Sequence, residues 1–174
     1  MLQRIVAAID FLTDRCGRGT AWLSLALALV VGSLVIVRYL FHTSAPAAQE
    51  AALYLHAALF MLGASFTLQS DEHVRVDILY RRLSPRARAW IDCIGTLVFL
   101  IPVCLLLLLL SWDYVAASWA VRETSSDPGG LPWVYLLKTL LLLMPASLLL
   151  QGVAEFLRRL PATRHGSAHP GRHP

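Results

Sequence analysis

Four long apolar runs restrict what this chain can fold into more than any other feature. A helix that crosses a bilayer needs roughly 20 mostly apolar residues, within a range of about 17–25. Residues 20–40, 50–69, 90–112 and 133–157 each meet that requirement. Lipid offers no hydrogen bonds to exposed backbone, so runs of this length fold as α-helices that satisfy their own N–H and C=O groups. The sequence therefore reads as an all-α integral membrane protein with four transmembrane helices. Composition agrees: 57% of the 174 residues are apolar and 15% charged, where soluble domains average about 45–50% and about 25%. Residues 1–160 form one membrane domain. The stretch 161–174, rich in Pro, Gly, Ser and His, is expected to be a disordered basic tail.

The connections are short and carry helix breakers. Thr43-Ser44-Ala45-Pro46 separates the first two spans. Ser84-Pro85 has the pattern of an N-cap followed by proline at the first helical position, and opens the third span. Asp127-Pro128-Gly129-Gly130 is turn chemistry, after which Pro132 restarts a helix. Pro102 and Pro145 lie inside spans three and four and are expected to kink them. The first run is too long, and the segment before it too extended, for an ordinary cleaved signal, so it is expected to be retained.

Arginines give the orientation. Three stand in the N-terminal segment (Arg4, Arg15, Arg18), five between spans two and three (Arg75, Arg81, Arg82, Arg86, Arg88) and four after span four (Arg158, Arg159, Arg164, Arg172). The opposite side has only Arg38 and Arg122. The positive-inside rule then puts both termini and the middle loop in the cytoplasm. Tyr39, Tyr54, Trp112, Tyr114, Trp119, Trp133 and Tyr135 gather at the outer interface, and Trp22, Tyr80 and Trp90 at the inner one. The net charge of +4 is thus a topology signal, and a nucleic-acid partner is not expected.

Chemistry-bearing motifs are sparse. Cys93 and Cys104 stand eleven residues apart on one span, about 16 Å along a helix, too far to pair. There is no C-x-x-C and no P-loop signature. His165, His169 and His173 recur every fourth residue, but Gly166 and Pro170 break any helix that would align them. No catalytic residue, cofactor or metal site is expected. The ionisable groups within or beside the spans are Glu50, His56, Asp92 and Lys138. Such groups usually mark ion or substrate paths. The structural explanations weigh more here: helix-dipole pairing for Glu50 and Asp92, outward snorkelling for Lys138, and a buried hydrogen-bonding role for His56. Gly32, Ser33, Gly63, Ser65, Thr67, Gly95 and Thr96 are the candidate small or polar packing contacts.

The middle loop carries the most information. Val76, Leu79, Tyr80 and Leu83 fall at i, i+3, i+4 and i+7, and arginines occupy much of the rest. This spacing predicts an amphipathic segment on the inner leaflet. Arg75, Arg81, Arg82, Arg86, Arg88 and Trp90 are its candidate membrane-surface residues. The sequence His73-Val74-Arg75-Val76-Asp77, followed by Leu79-Tyr80-Arg81-Arg82-Leu83-Ser84-Pro85 and by Asp92 in the next span, resembles the small membrane subunit of tripartite ATP-independent periplasmic (TRAP) transporters, the DctQ-like family. Glu123-Thr124-Ser125, Gly130-Leu131-Pro132-Trp133, and Gln151 with Glu155 add to the resemblance, which covers roughly residues 20–160. His73, Val76 and Asp77 form its most specific part, although Asp71 and Glu72 stand where members often carry a basic residue.

The resemblance implies a location in the bacterial inner membrane, with membrane lipid, a large DctM-like membrane subunit and a periplasmic solute-binding protein as partners. It implies a non-enzymatic scaffold for the large elevator-type subunit in sodium-coupled uptake of an organic acid. Span three is expected to project past the membrane, because Trp112, Val115, Ala116 and Trp119 keep helical spacing. Arg122, Glu123 and Asp127 are then candidate contacts with the binding protein. An integral-membrane enzyme, built around Asp71, Glu72, His73 and Asp77, and an assembly or regulatory subunit of another membrane complex are the competing readings.

Overall fold

The computed structural model describes residues 2–70 and 83–165. Helices α1 (Leu2–Phe41), α2 (Pro46–Gln69), α3 (Pro85–Gly95), α4 (Ile101–Val121) and α5 (Val134–His165) account for nearly all of them, and no strand occurs among the described residues. A π-helical turn, Thr96–Leu100, joins α3 to α4. The rod from Arg86 to Val121 thus counts as one membrane span, and α1, α2 and α5 supply the other three. The four-span expectation holds. The first part of α1 and the last part of α5 lie at one end of the bundle, where Asp10 meets Arg158.

Several boundaries differ from expectation. α1 is one helix of 40 residues, about 60 Å at 1.5 Å per residue, so the N-terminal segment continues the first span instead of preceding it. The third span runs nine residues past Trp112 to Val121, as the spacing of Trp112, Val115 and Trp119 suggested. The fourth carries its helical backbone through Pro161 to His165, beyond the expected end at 157 and into the stretch expected to be a disordered tail. Residues 166–174 and the amphipathic segment 71–82, with Arg75, Arg81, Arg82, His73, Val76 and Asp77, lie outside the described residues.

Local chemistry accounts for the breaks. Ser84 caps α3: its hydroxyl accepts from the Ala87 N–H at 3.3 Å, with Pro85 in the first turn. Pro102 lacks an N–H and would press its ring on the carbonyl of residue 98 in a regular α-helix. The chain answers with the π turn, in which the Ile101 N–H bonds to the Thr96 carbonyl five residues back. α4 ends in a Schellman motif. Arg122 adopts the left-handed conformation with φ 46°, its N–H bonds to Trp119 O at 3.2 Å, and the Glu123 N–H bonds to Ser118 O at 3.0 Å.

α5 is the centre of the arrangement and packs against α1, α2, α3 and α4. It also has the largest buried share of the four spans, 22% against 6% for α1 and for α2. Its inward face consists of Leu140, Pro145, Gln151, Gly152 and Ala154. Gly152 allows the π turn to approach closely: a Cβ there would lie 2.3 Å from Leu100 Cδ2. α1 touches its neighbours along the narrow stripe Thr13, Gly17 and Thr20. Phe66 of α2 sits directly on Gly17, 2.2 Å from where a Cβ would stand. Cys93 and Cys104 are both buried and unpaired. Small residues at these approaches are what helix packing in lipid requires, since burial of apolar surface gives no net drive there.

Candidate functional site

Polar side chains converge at each end of the bundle. At the end where Asp10 meets Arg158, Gln151 is the hub and is completely buried. Its Oε1 accepts from the Thr13 hydroxyl at 3.0 Å, and its Nε2 donates to Asp10 Oδ1 at 3.2 Å. Arg158 donates to both Asp10 oxygens, at 2.7 and 2.8 Å, and to Glu155 at 2.7 Å. Arg159 pairs with Glu155 on its own helix and with Asp92 of α3. Gln69, at the end of α2, donates to the Asp10 carbonyl at 3.0 Å. Three carboxylates, two guanidiniums and two amides thus tie α1, α2, α3 and α5 together at one level.

The opposite end is held by Glu50. Its carboxylate accepts from the Ser125 hydroxyl and from the Leu131 N–H, the latter at 2.6 Å. Ser125 in turn bonds its N–H to Leu131 O at 3.1 Å and accepts from the Asp127 N–H at 3.1 Å. Gly130 passes so close that a Cβ would lie 2.6 Å from Glu50 Oε1, so the 122–133 connection is folded down on the start of α2. Beside it, Lys138 donates to Glu123 and lies 3.9 Å from the Tyr114 ring centroid. Trp119 donates to the Thr139 hydroxyl at 2.9 Å and meets Tyr135 edge to face. The Lys138 ammonium hydrogen-bonds the Glu123 carboxyl and holds it below the usual carboxylate range.

These positions revise several expectations. His56 is exposed on α2 and not buried. Lys138 does reach toward the loops, but it ends on Glu123 and Tyr114. Glu50 and Asp92 do not serve merely to complement helix dipoles: Glu50 anchors a loop, and Asp92 pairs with Arg159. Glu123 is occupied by Lys138, whereas Arg122 and Asp127 are exposed beside it. Arg86 and Trp90 are exposed, and Arg88 donates to the Leu83 carbonyl at 3.1 Å. Ser65 is buried as a packing contact should be, while Gly32 and Ser33 are exposed. The sequence drew no attention to Asp10, and it marked Arg158 and Arg159 only as topology signals. An acidic residue at position 10 gives no pattern to read until the fold brings Gln151 and Arg158 to it.

The fold and its end clusters define a helical membrane protein whose polar groups lock helices together. The comparisons place it more narrowly. A family model described as tripartite ATP-independent periplasmic transporters, DctQ component, matches residues 27–162. The chain belongs to the DctQ family, whose members are transporter components of the bacterial inner membrane and not enzymes. It is similar to the C4-dicarboxylate TRAP transporter small permease protein DctQ of Vibrio cholerae, at 32% identity over 89 residues. That stretch is 51% of this chain, and the chain spans 38% of the relative's length. No solved structure gives a significant match.

Proposed function

We propose that this chain is the fixed scaffold of a TRAP transporter, set beside a large membrane subunit that carries out sodium-coupled uptake of an organic acid. The match of the DctQ model to residues 27–162 carries this reading. The name of the Vibrio cholerae relative favours a C4-dicarboxylate as the acid. The geometry is suited to a frame. One polar clasp ties α1, α2, α3 and α5, and the other ties α2 and α4 to α5, so the described helices are braced against one another. The Asp10–Arg158 end faces the cytoplasm, in keeping with the excess of arginines in the sequence segments on that side of the spans. Arg86, Arg88 and Trp90 meet the headgroups there. On the other side Arg122 and Asp127 remain exposed to receive a periplasmic binding protein.

The test is a tagged pull-down of this chain from gently solubilised native membranes, with uptake measured in its presence and absence. Stoichiometric recovery of one large multi-span permease, together with loss of organic-acid uptake on deletion of the chain, is the expected result. Recovery of the chain alone, or unchanged uptake without it, refutes the reading. Cysteine labelling at residue 127 and at residue 164 from outside the cell checks orientation, and only the first is expected to react.

A further inference from the structure

α2 leaves one stripe uncovered. Gln49, Leu53, His56 and Phe60 are exposed at i, i+4, i+7 and i+11, and every other residue from Pro46 to Gln69 is at least half covered by the rest of the chain. The stripe continues to Gly63, where a Cβ would meet nothing within 4 Å. His56 stands six residues beyond Glu50, about 9 Å deeper along the helix. An imidazole is too short to span that distance back to the polar loop end. Among the described residues its side chain has no hydrogen-bond partner.

An ionisable side chain at that depth is costly in hydrocarbon, and such residues face protein or a water-filled cavity. The comparison within this chain is direct. From Val103 to Leu110 the exposed face of α4 is Val103, Leu105, Leu106, Leu107, Leu109 and Leu110, a surface suited to lipid. The α2 stripe instead offers a hydrogen-bonding group, an aromatic knob at Phe60 and an open notch at Gly63. Close approach at small residues together with interhelical hydrogen bonds is how membrane helices associate.

We propose that the Leu53–His56–Phe60–Gly63 stripe of α2 seats a transmembrane helix of the large membrane subunit, which presents a hydrogen-bonding side chain to His56 and fills the notch at Gly63. The proposal rests on the function given above. Complementarity selects this occupant. Acyl chains have no acceptor or donor for an imidazole. A second copy in the same orientation would bring the stripe against itself at one depth, because a two-fold interface pairs the same patch on both subunits. Phe60 would then meet Phe60, and the notch would meet a notch. A helix of different sequence can supply both the polar partner and the filling side chain.

The experiment uses a photo-crosslinking amino acid at Leu53 or Phe60, and at Leu106 or Leu109 of α4 as lipid-facing controls, in the full chain co-expressed with its large subunit. Adducts of the large subunit from the α2 positions and none from α4 are expected. His56→Leu should lower the co-purified large subunit by about 3- to 15-fold, the range of a membrane-embedded interhelical hydrogen bond, and His56→Gln should restore most of it. Adducts from α4 only, dimers of this chain only, or undiminished co-purification with His56→Leu would overturn the proposal while leaving the scaffold function intact. If the unsubstituted chain recovers no large subunit, the function itself fails and the docking site fails with it.

Discussion

Gly17→Ala is the sharpest probe of how α1 is held. Phe66 packs on the bare backbone of Gly17: an added Cβ would stand 2.2 Å from its Cδ2, 2.4 Å from Cγ and 2.8 Å from Cβ. The third distance matters most, because a Cβ moves only with the backbone and no rotamer of Phe66 removes that contact. Overpacking of this kind costs about 1–3 kcal/mol. Replacing glycine by alanine within a helix also gains about 0.8–1 kcal/mol, so the net effect lies between neutrality and a loss of about 2 kcal/mol. Gly19 provides the control two residues away on the same helix, since a Cβ there meets nothing within 4 Å. Gly19→Ala should therefore collect only the propensity gain. The two single-methyl variants should differ by about 1–3 kcal/mol, the overpacking cost itself. Thermal unfolding of the purified chain in mild detergent measures this, and at about 2–4 °C per kcal/mol for a chain of this size the gap is several degrees. In a Phe66→Gly background, which has none of the three contacting atoms, Gly17→Ala and Gly19→Ala should have equal effects. Equal melting temperatures for Gly17→Ala and Gly19→Ala would refute the packing argument.

Three further outcomes follow from the end clusters. Glu50→Ala leaves the Leu131 N–H and the Ser125 hydroxyl without their acceptor. It should cost about 1–3 kcal/mol and raise amide hydrogen exchange across 123–132, where an unchanged exchange pattern would show that the loop holds itself. A double-mutant cycle of Asp10→Asn and Arg158→Met should give a coupling of about 0.5–3 kcal/mol. The lower part of that range is expected because both side chains are 30% exposed, and additive effects would mean that the bidentate contact contributes nothing. For Glu123 the lowered folded-state pKa means that the unfolded chain takes up its proton first. The Lys138 pair thus stabilises the fold above the ordinary glutamate value of about 4.3, and that contribution is lost as pH falls through the depressed value. Glu123→Gln should flatten the acid limb of the melting curve, and an identical limb in the variant would remove the pair from the account.

The division between what sequence and structure reveal is visible in single residues. Hydropathy located four spans because lipid imposes length and composition on any helix that crosses it, and it did so without regard to neighbours. It misplaced the ends for the same reason. Arg15 and Arg18 precede the first apolar run, yet they are exposed on a helix that continues unbroken through them into it. Helix caps were legible at Ser84-Pro85, where the signal is local. His56 was misread because its spacing gives no sign of which side of α2 the other helices occupy. Glu123 reads as a free loop charge until Lys138, fifteen residues on, is folded against it.

The sequence by itself determined the helical class, the number of spans, the arginine asymmetry and the DctQ resemblance, since each depends on residue type and local order. Only the tertiary structure decided that α5 is the hub, that Asp10 meets Gln151 and Arg158 across more than 140 residues, and that one stripe of α2 carries an exposed histidine. Those facts depend on which helix faces turn toward each other. In lipid, small-residue approach and hydrogen-bond geometry set that choice, and neither is encoded in the apolar content that marks the spans.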